Sequence, residues 1–239
     1  MKSTRGVRSG RLLRPLLLVA AFATLSGAGT VSAAPVPVAP KQELVALLRS
    51  HQVRAAPTAR SALVDTVPAT TPITGEQTVL PLLARRGQWL RVRLPGRPNS
   101  HTGWIARAAT TRFATSWHLV VNRSNRRVTV YFAGRSVRSF LAVVGKPSTP
   151  TPAGQFFVEE SIALTPGEMG APFALALSAR SDVLQEFDGG PGQIALHGLS
   201  NVGGVPGTAV SHGCVRLEDS AISWLAARIG PGVPVTVMR

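Results

Sequence analysis

The feature that most restricts the fold of this chain is its patterning. Apolar residues come in short alternating runs, each closed within a few residues by Gly, Pro or Asn. Trp89-Leu90-Arg91-Val92-Arg93-Leu94 puts Leu90, Val92 and Leu94 on one face, and Arg127–Phe132 does the same with Val128, Val130 and Phe132. Arg86-Gly87, Ser124-Asn125 and Ala133-Gly134 stand at the turns between such runs. A period of two over five or six residues predicts strands joined in hairpins, not long helices. The 23 Gly and 19 Pro of the 239 residues agree, and a hydrophobic content of 44% argues against disorder throughout. The length suits one large domain or two small ones, and the expected fold class is mainly β.

The runs fall into two blocks. The first, about 70–110, holds Val79–Leu83, Trp89–Leu94 and Gly103–Ala106 around the loop Pro95–Asn99. The second, 116–239, holds runs at His118–Asn122, Arg127–Phe132, Val137–Val144, Gln155–Val158 and Val233–Val237, which favours an antiparallel sandwich. Residues 161–192, rich in Gly and Pro, read as a covering loop with one short central strand at Phe173–Ser178. Asp219–Arg228 reads as a helix with Asp219 as N-cap and Gly230 as stop. Residues 34–69 read as a linker, with a short helix at Lys41–Ser50 presenting Leu44, Leu47 and Leu48.

The first 33 residues have the zones of a secretory signal. Lys2, Arg5, Arg8, Arg11 and Arg14 precede the apolar stretch Leu16–Leu25, and Val31-Ser32-Ala33 supplies small residues for cleavage. An apolar stretch of ten residues is short for a bilayer span, so cleavage is expected and the remainder would lie outside the cytoplasmic membrane. Five of the basic residues belong to this segment, leaving about +10 of the net +15 on the rest. In an exported protein that charge points away from nucleic acid and towards anionic wall polymers and lipid head groups.

The chain has one Cys and five His. A single thiol in an exported protein forms no internal disulfide, so it is a small buried hydrophobe or a reactive group. Its neighbours favour reactivity. Ile194-Ala195-Leu196-His197-Gly198 is followed by a glycine-rich loop and then Ser211-His212-Gly213-Cys214-Val215-Arg216-Leu217. A thiol nucleophile needs a base to form the thiolate and donors for the oxyanion created on attack. Two of the five histidines, His197 and His212, lie in this segment, and Gly213 admits both close approach and a strained dihedral. Zinc on His197, His212 and Cys214 would need a further ligand. No metal or cofactor is expected.

This segment resembles the active site of the L,D-transpeptidase (YkuD-like) catalytic domain. The resemblance runs through His197-Gly198 and Ser211-His212-Gly213-Cys214-Val215-Arg216, and Thr151-Pro152-Ala153-Gly154 looks like that family's substrate-side loop. The spacer of 13 residues between His197 and Ser211 is short, and Arg216 stands where many members have Asn. The resemblance implies a β-sandwich with a short C-terminal-side helix, in which Cys214 is the nucleophile and His197 the base, oriented by the Gly198 carbonyl. It implies that His212 and Gly213 shape the catalytic pocket, with an oxyanion hole from peptide groups of Gly213 and Cys214. Ser211, Gly198 and Arg216 are expected at the substrate. The reaction implied is cleavage of the L,D-bond of a peptidoglycan stem tetrapeptide through a thioester, with transfer to an acceptor amine. Carbapenem β-lactams are implied as covalent inhibitors. An L,D-carboxypeptidase and a non-catalytic wall-binding protein remain alternatives. The block at 70–110 resembles a bacterial SH3-like barrel that would hold the enzyme on peptidoglycan or support its partner domain.

Overall fold

The computed structural model describes residues 37–187 and 189–239. The expected signal segment lies outside the described residues, as does the start of the expected linker.

An N-terminal sheet of seven strands comprises β1 (Gln42–Leu47), β2 (His51–Arg54), β3 (Leu63–Val67), β4 (Val79–Arg86), β5 (Trp89–Arg93), β6 (Thr102–Ala106) and β7 (Thr110–Thr115), in the order β3-β2-β6-β5-β4-β1-β7. It therefore takes in residues 42–67, where sequence reading expected a linker and a helix. β1 pairs antiparallel with both β4 and β7. Leu44, Val45, Ala46 and Leu47 are all buried because both faces of β1 are covered. Val45 and Leu47 join the sheet's main core, while Leu44 and Ala46 meet Val79 on the other side. A four-residue apolar run looks the same in a buried strand as in a buried helix, and only pairing partners separate the two.

The second block comprises β8 (Trp117–Asn122), β9 (Arg127–Phe132), β10 (Arg135–Leu141), β11 (Val144–Gly145), β12 (Gly154–Ala163), β13 (Phe173–Arg180), β14 (Gln193–His197), β15 (Ala209–Ser211), β16 (Val215–Arg216), the helix α1 (Asp219–Ala226) and β17 (Pro234–Met238). Eight of these strands form one sheet, β10-β9-β8-β17-β12-β13-β14-β16, and β11 pairs with β15. The sheet is not purely antiparallel: β17 runs parallel to β8 and β14 parallel to β16. Leu119 and Val121 from one half of the sheet share a core with Leu175, Leu177, Ile194 and Leu196 from the other, and α1 adds Ile222 and Leu225. Each such side chain, fully removed from water, stabilises the fold by roughly 1.5–3 kcal/mol.

Two further expectations change. The central strand of 161–192 is present but longer than expected, running to Arg180, and it pairs with the end of β12 as a hairpin; the loops at 164–172 and 181–192 make up the rest. The helix N-cap is Glu218, with no side-chain cap bond, so Asp219 is already helical.

Strand β12 joins the two blocks. Phe156 enters the core of the second block and Phe157 that of the first, as adjacent residues on a pleated strand must. Past a register shift between Val158 and Glu160, the fully buried Glu160 takes the Ile73 and Thr74 N–H groups at 3.2 and 2.7 Å and the Thr74 hydroxyl at 2.9 Å.

His118 on β8 lies with Nε2 2.8 Å from the Thr236 hydroxyl of β17, and that hydroxyl donates to Gln155 Oε1 at 2.9 Å. With its proton spent, the hydroxyl accepts from His118 Nε2–H. Burial lowers His118 from 6.5 to about 4. Between those values the unfolded chain binds more protons than the folded one. The stability gained by keeping this ring neutral is complete above the unfolded value and is lost as pH falls towards the folded one. The Tm should fall between pH 7 and 4, and His118→Gln should flatten the fall; an unchanged slope would assign the effect to other groups.

Candidate active site

The single cysteine sits in a tight turn between β15 and β16. The Ser211 hydroxyl accepts the Gly213 N–H at 3.2 Å and donates to the Cys214 carbonyl at 2.6 Å, closing the turn from inside. The Ser211 carbonyl accepts the Lys146 N–H at 3.0 Å and the Thr149 hydroxyl at 3.2 Å. Thr151 donates to the Gly213 carbonyl at 2.7 Å and accepts the Gly145 N–H at 3.0 Å. Ser211 and Thr151 are both fully buried. The chain takes this course at Gly213 because its φ is +127° and a Cβ there would come within 2.9 Å of Ile194 Cδ1.

His197 ends β14, and the parallel pairing of β14 with β16 sets His197 beside Arg216. Its Nδ1 is 2.8 Å from the Gly198 carbonyl. A carbonyl only accepts, so Nδ1 carries the proton and Nε2 keeps a free lone pair. The Gly198 backbone is itself fixed. Its N–H donates to the Gly170 carbonyl at 2.7 Å, and a Cβ would collide with the Ala171 carbonyl oxygen. Asp219 Oδ1 takes the Leu199 N–H at 3.0 Å. Arg216 Nη1 holds the glycine-rich loop through the carbonyls of Val202 and Gly203, at 2.7 and 3.1 Å.

Cys214, His197, Arg216 and His212 line one pocket of about 400 Å³, to which Leu184 and Phe187 also contribute. Cys214 is half-buried, its Sγ 4.0 Å from the Gln193 carbonyl. The Gln193 amide in turn donates to Glu159 at 2.5 Å. His212 is exposed and stacks on Phe187 at 5.6 Å between ring centroids. Burial raises the Cys214 thiol above its ordinary range, and a backbone group of Ala195 and the Arg216 charge pull it partly back. Burial lowers His197, the Gly198 carbonyl opposes this, and Arg216 lowers it further. Near neutrality the two groups are therefore set as thiol and neutral imidazole.

The residues expected at a site thus separate. Cys214, His197, His212 and Arg216 face the pocket. Ser211 and Gly198, expected at the substrate, are buried and hold the turn and the imidazole instead. Thr151, expected in a substrate-side loop, braces the same turn. Of the two peptide groups expected to bind an oxyanion, that of Gly213 is already committed to Ser211. Sequence reasoning missed the bracing role of Thr149 and Thr151 and the Asp219 contact. The only signal for them was a rigid Pro-rich loop and an acidic residue at a helix start. Among the described residues no three His, Cys, Asp or Glu side chains gather as a metal site would require.

Cys214 in its tight turn and the carbonyl-oriented His197 thus line one pocket of a predominantly β block. The chain matches the L,D-transpeptidase catalytic domain (YkuD) family over residues 116–237, just over half its length, and belongs to that family. It is similar to the putative L,D-transpeptidase YkuD of Bacillus subtilis, at 26% identity over 61% of this chain and 73% of that protein. It is similar to L,D-transpeptidase 1 of Mycobacterium tuberculosis, at 25% identity over 95% of this chain and 99% of that protein. Among solved structures, Bd1075 of Bdellovibrio bacteriovorus matches at 24% identity with a TM-score of 0.41, covering 52% of this chain and 48% of that one. The chain thus spans about half the length of that structure. Membership supports, at a general level, a transferase acting in peptidoglycan cross-linking.

Thr151→Val should strand the buried Gly213 carbonyl and Gly145 N–H, costing about 1–3 kcal/mol. Urea unfolding should show the loss, and alkylation of Cys214 should change with it. A variant of unchanged stability and reactivity would show that Thr151 does not brace the turn.

Proposed function

We propose that this protein is an exported cell-wall enzyme that cross-links peptidoglycan through a thioester on Cys214. The observation that carries the reading is the bond from His197 Nδ1 to the Gly198 carbonyl, which leaves Nε2 free as a base in the pocket that Cys214 lines. The thiol of Cys214 attacks the carbonyl carbon of the L,D-bond in a stem tetrapeptide, and its proton passes to His197 Nε2. The peptide N–H of Cys214 is the oxyanion donor, because Gly213 is engaged by Ser211. Collapse of the intermediate expels D-Ala, whose amine takes the proton from His197, and leaves a thioester. An amine from a second stem then attacks the thioester, giving up a proton to His197; the new amide forms, and the thiol is regenerated.

Arg216, with Nη1 fixed by the glycine-rich loop, presents positive charge in the pocket for a stem carboxylate. His212 on Phe187 shapes its wall. Export follows from the signal-like first 33 residues, and the basic remainder suits a wall bearing anionic polymers. The N-terminal sheet is read as an SH3-like module that supports the catalytic block, a reading favoured by the buried contacts through Phe157 and Glu160. β-Lactams of the carbapenem class are strained acyl donors that the same thiol would open, forming one stable adduct.

Intact-mass spectrometry with a carbapenem tests this without cell-wall substrate. The wild type should gain one drug mass, Cys214→Ala none, and His197→Ala should react at least tenfold more slowly. Because burial lowers His197, the wild-type rate should hold level from neutrality down to about pH 6.5 and decline below it. An unreactive wild type would leave Cys214 inert and overturn the reading.

A further inference from the structure

The N-terminal sheet touches the pocket wall through one loop, the connection from β5 to β6. The Gly96 N–H donates to the Ser178 carbonyl at 3.1 Å. Asn99 closes a reciprocal pair with Arg180: its Nδ2 donates to the Arg180 carbonyl at 2.7 Å and its Oδ1 accepts the Arg180 N–H at 2.9 Å. The same Nδ2 also reaches Asp182 Oδ1 at 2.8 Å. Arg97 then extends its guanidinium into the segment that follows β13. Nη2 donates to the carbonyls of Ser181 and Leu184 at 2.8 and 3.0 Å, and Nη1 donates to the Pro191 carbonyl at 3.0 Å.

Those three carbonyls lie on both limbs of the segment from Ser181 to Gly192, whose base is closed by the Ser181 N–H on the Gly192 carbonyl at 2.8 Å. One side chain from the other block therefore bridges its two ends. The segment's own bonds are local: the Ser181 hydroxyl accepts the Val183 and Leu184 N–H groups at 3.3 and 3.0 Å, and Phe187 pairs with Gly190, while His212 stacks on Phe187. Val183 and Phe187 are half exposed, so burial contributes little to its shape. Yet Leu184 and Phe187 form one apolar side of the pocket that holds Cys214 and His197, Met169, Ile194 and Val202 supplying the rest of its apolar lining. A guanidinium suits the task because its planar fork serves several acceptors at once, where an ammonium is a single point.

We infer that Arg97 is a positioning residue for substrate: from the N-terminal sheet it sets the pocket wall formed by Leu184 and Phe187, so that this sheet takes part in recognising the acyl donor. The inference rests on the reading of Cys214 as the acylated nucleophile. Arg97 touches neither the donor nor the thiol and acts only through the segment it clamps.

The test uses the full chain as wild type, Arg97→Ala, Arg97→Lys, Phe187→Ala and the double variant Arg97→Ala with Phe187→Ala. Hydrogen exchange should rise in Arg97→Ala for peptides covering the segment after Arg180 and stay unchanged for β12, which excludes general unfolding. Carbapenem acylation should slow about tenfold or more, while alkylation by iodoacetamide, too small to need the wall, should change less than about twofold. Arg97→Lys should recover part of the rate. The double variant should be no slower than the slower single one, since both changes remove the same wall. Unchanged exchange, unchanged acylation with a loosened segment, or fully additive losses would each overturn the inference. A wild type that takes no carbapenem would instead sink the nucleophile reading itself. A reactive wild type matched by Arg97→Ala sinks only the role of Arg97.

Discussion

Strand β12 is the element on which the rest depends, because it is buried from both sides. A pleated strand sends neighbouring side chains to opposite faces, so Phe156 and Phe157 necessarily enter two different cores. Burying both phenylalanines holds the two blocks to one strand, and neither block can shift without exposing a large ring. The register shift past Val158 then brings Glu160 to the turn at Ile73 and Thr74, where a buried carboxylate oxygen is met by three donors. A polar group taken out of water is costly without partners, so this contact adds specificity to an attachment that the phenylalanines already favour.

From that frame the site is built by backbone placement more than by side-chain number. β14 and β16 run parallel, which sets His197 and Arg216 abreast. Cys214 lines the same pocket from a turn in which Ser211, the Gly213 peptide groups and the Cys214 carbonyl are all hydrogen-bonded. Two buried hydroxyls, on Ser211 and Thr151, replace the water that would otherwise solvate the turn. The cost of leaving such groups unpaired is larger than the gain from pairing them, so the turn resists distortion. Burial then acts on the chemistry, moving the thiol up and the imidazole down until both are neutral near pH 7. The Arg216 charge beside them lowers both.

Much of this was legible beforehand. Alternation in Trp89–Leu94 and Arg127–Phe132 marked strands because each has one buried and one wetter face. The residues Ser211-His212-Gly213-Cys214 marked the site because so few residue types can do thiol chemistry. What was misread has separate causes. β1 is apolar without alternation because both its faces are covered, and a run of that kind carries no period. The hairpin of β12 and β13 was hidden behind Gly and Pro residues that cluster only at its loops. Ser211 and Gly198 lie within the motif, and the motif does not say which of its members face substrate and which face inward.

The sequence by itself determined the β class and which groups are candidates for the site, since short-range alternation sets strand faces and residue identity limits the chemistry on offer. The tertiary structure alone decided which polar groups are spent on scaffolding and which stay free. That outcome depends on partners far apart in the chain: Thr151 with Gly213, Asp219 with Leu199, Arg97 with Leu184 and Pro191. Hydrogen bonds across such separations leave no local periodicity. They exist only once burial has brought the strands together and removed the water that would otherwise compete.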